Sequence, residues 1–242
     1  MSTERRQLPY RPIASVVPCT AGWLVLPGRL QGVTVLVEPA FTLRRLTEVL
    51  DYRPSFEAIA LGAPVGFPSA AVGGSRGCDR AARDVLGWPR RASVPEVPSQ
   101  AALQAATVAE AKALDPCVTS LSSRRFGRWR EIDDELQPFH QRTVFSAHPE
   151  LSFHLLNGDQ APTSSPHTTA GEDERLALAL AKLPGVDAVV TAGTALRGVT
   201  RRQLIDAAGL LWSARRIAGR VINRYPADPE WNDAGLRMEL VR

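Results

Sequence analysis

At 242 residues, with 44% hydrophobic residues and a formal net charge of +4, the chain has enough apolar material for a sizeable core and too little excess charge to be a disordered polyelectrolyte. It lacks any run of about 18 apolar residues, so no membrane-spanning helix and no membrane partner are expected, and the polar stretch 1–11 lacks the apolar centre of a signal peptide. Cys19, Cys78 and Cys117 are odd in number and widely spaced, which argues against a disulfide framework or zinc knuckle and fits a reducing, cytoplasmic location.

Residues 1–12 read as a polar tail and 13–242 as a single domain. Apolar runs at 13–17, 23–26 and 33–37, separated by Cys19-Thr20-Ala21-Gly22 and Gly32, predict three consecutive antiparallel strands. Apolar residues at 43, 46, 49 and 50 have helical spacing, predicting a helix over 41–50. Ala58–Leu61 reads as a short buried strand stopped by Gly62-Ala63-Pro64. After a turn-rich stretch, 79–86 reads as a short basic helix, 100–114 as an alanine-rich helix closed by Pro116, and 129–136 as a further helix. A strand over 143–147 then meets the turn His148-Pro149-Glu150, where Pro149 suits the first position of a helix because its missing N–H has no partner to lose. Strand-to-helix junctions of this kind are where α/β proteins place much of their chemistry. A helix over 172–183 ends at Pro184-Gly185, the longest helix spans 201–220, and 235–241 reads as a final strand. Strands first, then strands alternating with helices, predict an α/β protein with a mixed sheet flanked by helices. The order is that of a ribonuclease-H-like fold.

Lys112 and Lys182 are the only lysines, so 27 of the 29 basic residues are arginine. Arginine suits bidentate phosphate contact, although a GC-rich coding bias also raises Arg, Ala, Gly and Pro together.

Several segments, in order, resemble one known family. They are Cys19 with Ala21-Gly22-Trp23; Pro64-Val65-Gly66-Phe67-Pro68; Arg76-Gly77-Cys78-Asp79-Arg80 with Arg83 and Leu86-Gly87; Ser93-Val94; Arg130-Glu131-Ile132-Asp133; His148-Pro149-Glu150 with Ser152-Phe153; Thr168, Gly171 and Glu174-Arg175; Leu204 with Asp206-Ala207; and Gly235-Leu236-Arg237-Met238-Glu239. On these the chain resembles, over residues 13–240, an uncharacterised family of predicted nucleases with a ribonuclease-H-like fold, related in shape to Holliday-junction resolvases. The resemblance implies a site in which carboxylates from the first strand, a later strand and the last helix hold two Mg²⁺ or Mn²⁺ ions ~4 Å apart for phosphodiester hydrolysis.

The sequence departs from that pattern at the ligand positions. Val17, Gly62 and Ser146 stand where the family carries carboxylates, and His167 stands where it carries a lysine; only Asp206 remains of the implied metal ligands. The resemblance therefore implies a catalytically degenerate protein with no cofactor expected, binding nucleic acid, a nucleotide or a protein partner. Two alternatives stand beside it. One is an active nuclease, using Mg²⁺ or Mn²⁺, with a site rebuilt from Glu150, Asp206 and acids such as Asp79 or Glu172. The other is a protein-interaction module without a phosphate ligand.

Asp206 reads as a metal ligand or as part of an ion-paired helix face. Glu150 reads as a helix-start charge or a phosphate-site acid, and His148 as a general acid/base or a hydrogen-bonded structural residue. Arg76, Arg80 and Arg83 share one face if their segment is helical throughout, forming a phosphate clamp or a solvated surface. Cys78 is expected to be buried and not nucleophilic. Arginines at 197, 201, 202, 215, 216, 220 and 224 make the C-terminal helix a candidate nucleic-acid surface, and Trp88, Trp129 and Trp231 read as stacking or buried rings. Ser146, Glu150 and Asp206 are expected to converge at one end of the sheet, bordered by the three arginines.

Overall fold

A computed structural model describes residues 10–71 and 76–242. The polar tail expected over 1–12 falls largely outside the described residues, and its last two positions, Arg11 and Pro12, already belong to the first strand. Strands β1 (Arg11–Cys19), β2 (Gly22–Gln31) and β3 (Thr34–Val37) form the expected antiparallel meander. β5 (Ala58–Leu61) and β6 (Val144–Ser146) extend it on the other side, both parallel to β1. The order across the sheet is β3-β2-β1-β5-β6, with a short β4 (Phe41–Leu43) pairing with β2. This is a mixed sheet, and helices flank it on both faces.

Alternation along β1 divides the core. Ile13 and Val17 face a cluster built on α9 (Arg201–Ala218), with Leu204 and Leu211. Ala14 and Val16 face a second cluster that includes Phe67 and Trp129. Small residues on the inner side of α9 let its backbone contact β1 and the Phe153 ring. The Ser15 hydroxyl donates to the Ala207 carbonyl at 2.6 Å, and a Cβ at Gly209 would meet the Phe153 ring at 2.8 Å. No helix among the described residues is long and apolar enough to cross a membrane.

Four expectations need correction. Residues 41–50 are not one helix: β4 comes first, and α1 (Leu46–Leu50) is about a turn and a half, opened by the Glu48 carboxylate, which accepts the Arg44 and Arg45 N–H groups. Pairing with β2 overrides the helical spacing. The alanine-rich run 100–114 splits into α3 (Gln100–Gln104) and α4 (Val108–Leu114), because Thr107 leaves the helix to cap the Glu110 N–H. The final strand β8 (Arg237–Val241) pairs with β7 (Arg224–Trp231), which the sequence reading missed, and it touches the main sheet through a bridge between Ala147 and Val241. The long helix ends at Ala218, before Arg220, whose φ of 58° cannot continue it. The remaining helices are α2 (Gly77–Leu86), α5 (Phe126–Glu135), α6 (Pro149–Leu156), α7 (Thr169–Leu180) and the unanticipated α8 (Val186–Gly193).

Candidate functional site

The parallel strands β1, β5 and β6 end together, and a cleft of about 900 Å³ opens at their carboxyl ends. Val17, Gly62 and Ala147 lie on its floor, and Asp206 reaches it from α9. Val17 and Gly62 are neighbours: β1 and β5 run in parallel register, and a Cβ built on Gly62 would lie 3.4 Å from Val17 Cγ2. The same Cβ would meet Leu210 Cδ1 at 2.8 Å, one helical turn beyond Asp206. Residues 17, 62 and 206 thus line the same cleft, and two of the three offer no side-chain oxygen.

Asp206 accepts no hydrogen bond among the described residues, and its nearest cation, Arg202, is 3.8 Å away. Burial raises its carboxyl to about 7; Arg202 opposes the shift and the nearby Glu150 charge adds to it. Glu150 also lines the cleft, but both its oxygens are occupied by Arg175, at 2.7 Å and 2.7 Å. Arg175 completes its bonding with the carbonyls of Ser164 and Gly171, so the pair is buried, fully satisfied, and ties α6 to α7.

His148 is the N-cap of α6. Its Nδ1 accepts the Glu150 N–H at 3.3 Å, and its Nε2 lies 3.2 Å from the Ser93 carbonyl. A carbonyl only accepts, so Nε2 carries the proton. Burial lowers the pKa of this ring, which keeps it neutral and holds both nitrogens in structural bonds. Ser146 does not enter the cleft; it is buried and its hydroxyl donates to the Ala63 carbonyl at 2.8 Å.

The three arginines of the expected clamp do not meet at the cleft. Arg76 lines it but is 2% exposed, with a two-point ion pair to Asp79 at 2.9 Å and 2.8 Å and bonds to the Val65 and Gly66 carbonyls. Arg80 faces Glu230 at 3.9 Å, and Arg83 donates to the Val94 carbonyl; neither lines the cleft. The one-face argument fails because Arg76 is extended, with φ −60° and ψ 153°, and precedes the helix instead of starting it. Cys78 is buried, and burial pushes its thiol up to about 12, the opposite of an activated nucleophile.

What the cleft does gather is positive potential. The N-cap residues of four helices line it: Arg76 of α2, Arg125 of α5, His148 of α6 and Thr200 of α9. Several of the first N–H groups of these helices are already bonded: in α6 Pro149 has none and the Glu150 N–H is held by His148, in α2 the Gly77 N–H donates to Glu230, and in α9 the Gln203 N–H donates to Thr200, so the side chains carry the positive charge of the cleft. Arg124, Arg125, Arg128 and Arg202 line the same space. Arg128 is paired with Glu131 at 3.0 Å, and Arg202 donates to the His167 ring. The side chains of Arg124 and Arg125 have no hydrogen bond or ion pair among the described residues. The surrounding protein and the neighbouring Arg202 both disfavour the charge on Arg125, lowering its pKa.

The residues present do not fit a two-metal site. Glu150 and Asp79 have both oxygens on arginines, and among the described residues no group of three or more His, Cys, Asp and Glu is placed to hold a metal ion.

Residues 17–231 match a family described as a protein of unknown function (DUF429). The chain belongs to the DUF429 family. No curated protein and no solved structure matches it. The DUF429 region contains nearly the whole cleft, from Val17 to Asp206, with Leu240 added from β8. Sequence reasoning on this DUF429 member named Asp206, Glu150, His148 and Arg76, and all four line the cleft. It did not single out Arg124 and Arg125. Their signal was the Arg-Arg pair just before α5, which looks like any other basic pair until the fold turns it toward Arg202.

Proposed function

We propose that this DUF429 protein has a ribonuclease-H-like fold, has lost two-metal hydrolysis, and uses the cleft to bind a phosphate-bearing ligand without a metal. The strand order β3-β2-β1-β5-β6, with only β2 antiparallel to its neighbours in the central part, supports the fold assignment. The loss of hydrolysis is supported by Val17 and Gly62, which line the cleft with Asp206 and offer no carboxylate, and by the occupation of Glu150 by Arg175. One isolated carboxyl cannot neutralise two divalent ions or fix their separation.

The observation that carries the binding reading is Arg125: a guanidinium without a carboxylate partner among the described residues, lining the same cleft as Arg124 and Arg202. Neighbouring guanidiniums favour a phosphate, and such an anion would relieve the repulsion between Arg125 and Arg202. Calorimetric titration of the protein with inorganic phosphate, AMP and an oligonucleotide, each with and without Mg²⁺, tests the reading. Binding by at least one of these probes is expected without metal, weakened about 10-fold or more in Arg125→Ala, since a hydrogen bond to a charged group contributes about 1.5–3 kcal/mol. No binding by any probe would contradict it.

A further inference from the structure

We infer that the cleft takes a small phosphomonoester, a molecule with a terminal phosphate on a body of mononucleotide or sugar size, and not a nucleic-acid strand; this rests on the reading of the cleft as a phosphate site. The volume of about 900 Å³ lies within the roughly 300–1,000 Å³ of small-molecule pockets. Its apolar lining, from Pro64, Val94, Val97 and Leu240, gives the body of such a molecule a surface to rest on.

The features that hold a strand are missing around it. Proteins that bind single strands lay successive bases on exposed aromatic rings along a basic track. Trp129 is the one Phe, Tyr or Trp lining the cleft among the described residues, and it is 2% exposed, packed against Phe67 and Phe126. The exposed rings of Trp88, Trp231 and Phe139 lie outside the cleft. Several arginines outside the cleft are held by carboxylates, Arg201 by Glu172 and Asp173, Arg224 and Arg237 by Glu239, and Arg29 by Glu38, while Arg215 and Arg216 bond the Val33 carbonyl and Asn223.

Charge density points the same way. A phosphodiester in a strand carries one negative charge, whereas a terminal phosphomonoester carries about −1.5 to −2 at neutral pH with three acceptor oxygens. Arg124, Arg125 and Arg202, lining one cleft, match the second.

The test is competition and direct titration with inorganic phosphate, AMP, adenosine and an oligonucleotide lacking terminal phosphates. AMP should saturate one site per chain, inorganic phosphate should compete with it, and adenosine should bind at least 10-fold more weakly. Arg125→Ala, a change at an exposed position that leaves the core intact, should weaken AMP by 10-fold or more, with Arg125→Lys intermediate. Tighter binding of the unphosphorylated-end oligonucleotide than of AMP or phosphate, with a steep salt dependence, would overturn the monoester inference and leave the phosphate reading standing. Failure of every probe would overturn both.

Discussion

Asp206 shows how a single residue can keep its place and change its meaning. In a carboxylate cluster with metal ions it would be ionised; here it lines the cleft with Val17 and has no hydrogen bond among the described residues, and burial raises its pKa to about 7. The unfolded chain releases this proton near pH 4. Between about pH 4 and pH 7 the folded state therefore holds a proton that the unfolded state has lost, and this group lowers stability as pH rises through that window. Asp206→Asn removes the penalty. Its melting temperature should match the parent below pH 4 and exceed it at pH 8, by an amount corresponding to at most about 4 kcal/mol; equal melting temperatures at both pH values would refute the assignment. Glu150 behaves in the opposite way, because its charge is fully partnered. Arg175→Ala leaves a buried carboxylate alone and should cost about 3–5 kcal/mol in chemical denaturation. A loss below 1 kcal/mol would show that the pair is not the tie between α6 and α7.

At the level of elements, the close packing of α9 on β1 and β5 decides which residues the cleft can contain. A Cβ at Gly62 meets Leu210 at 2.8 Å and Val17 at 3.4 Å. Gly62→Asp therefore overpacks this contact and is expected to destabilise the protein by about 1–3 kcal/mol without creating a metal site. Isothermal denaturation with and without Mn²⁺ measures both; stabilisation by Mn²⁺ would contradict the packing argument. The strands that could be read from the sequence were those whose apolar runs end at turn residues, such as β1, β2 and β5. β7 could not be, because Pro226, Pro229 and its charged residues mask a partly exposed strand with an irregular register. Long-range partners limited the reading of the site in the same way. Glu150 was legible as a helix-start acid, but its role depends on Arg175, 25 residues away. The arginine clamp depended on where α2 begins, and Arg76 lies just outside that helix.

Over the whole molecule, among the described residues, ion pairs link many of the surface charges, and Arg124 and Arg125 line the cleft without a carboxylate partner. Ligand binding should accordingly stabilise the fold by mass action, about 2.7 kcal/mol when the ligand is at 100 times its Kd. At the same ligand concentration that shift should fall to about half in Arg125→Ala, as a roughly 10-fold weaker Kd requires, and it should be unaffected by chelators. The measurement that tests the central claim most directly is AMP binding and oligonucleotide cleavage by one preparation, with Mg²⁺, with Mn²⁺ and with EDTA. The account predicts AMP binding of equal affinity in all three and no cleavage in any. Cleavage that requires Mg²⁺ or Mn²⁺ and disappears in Asp206→Asn would contradict it.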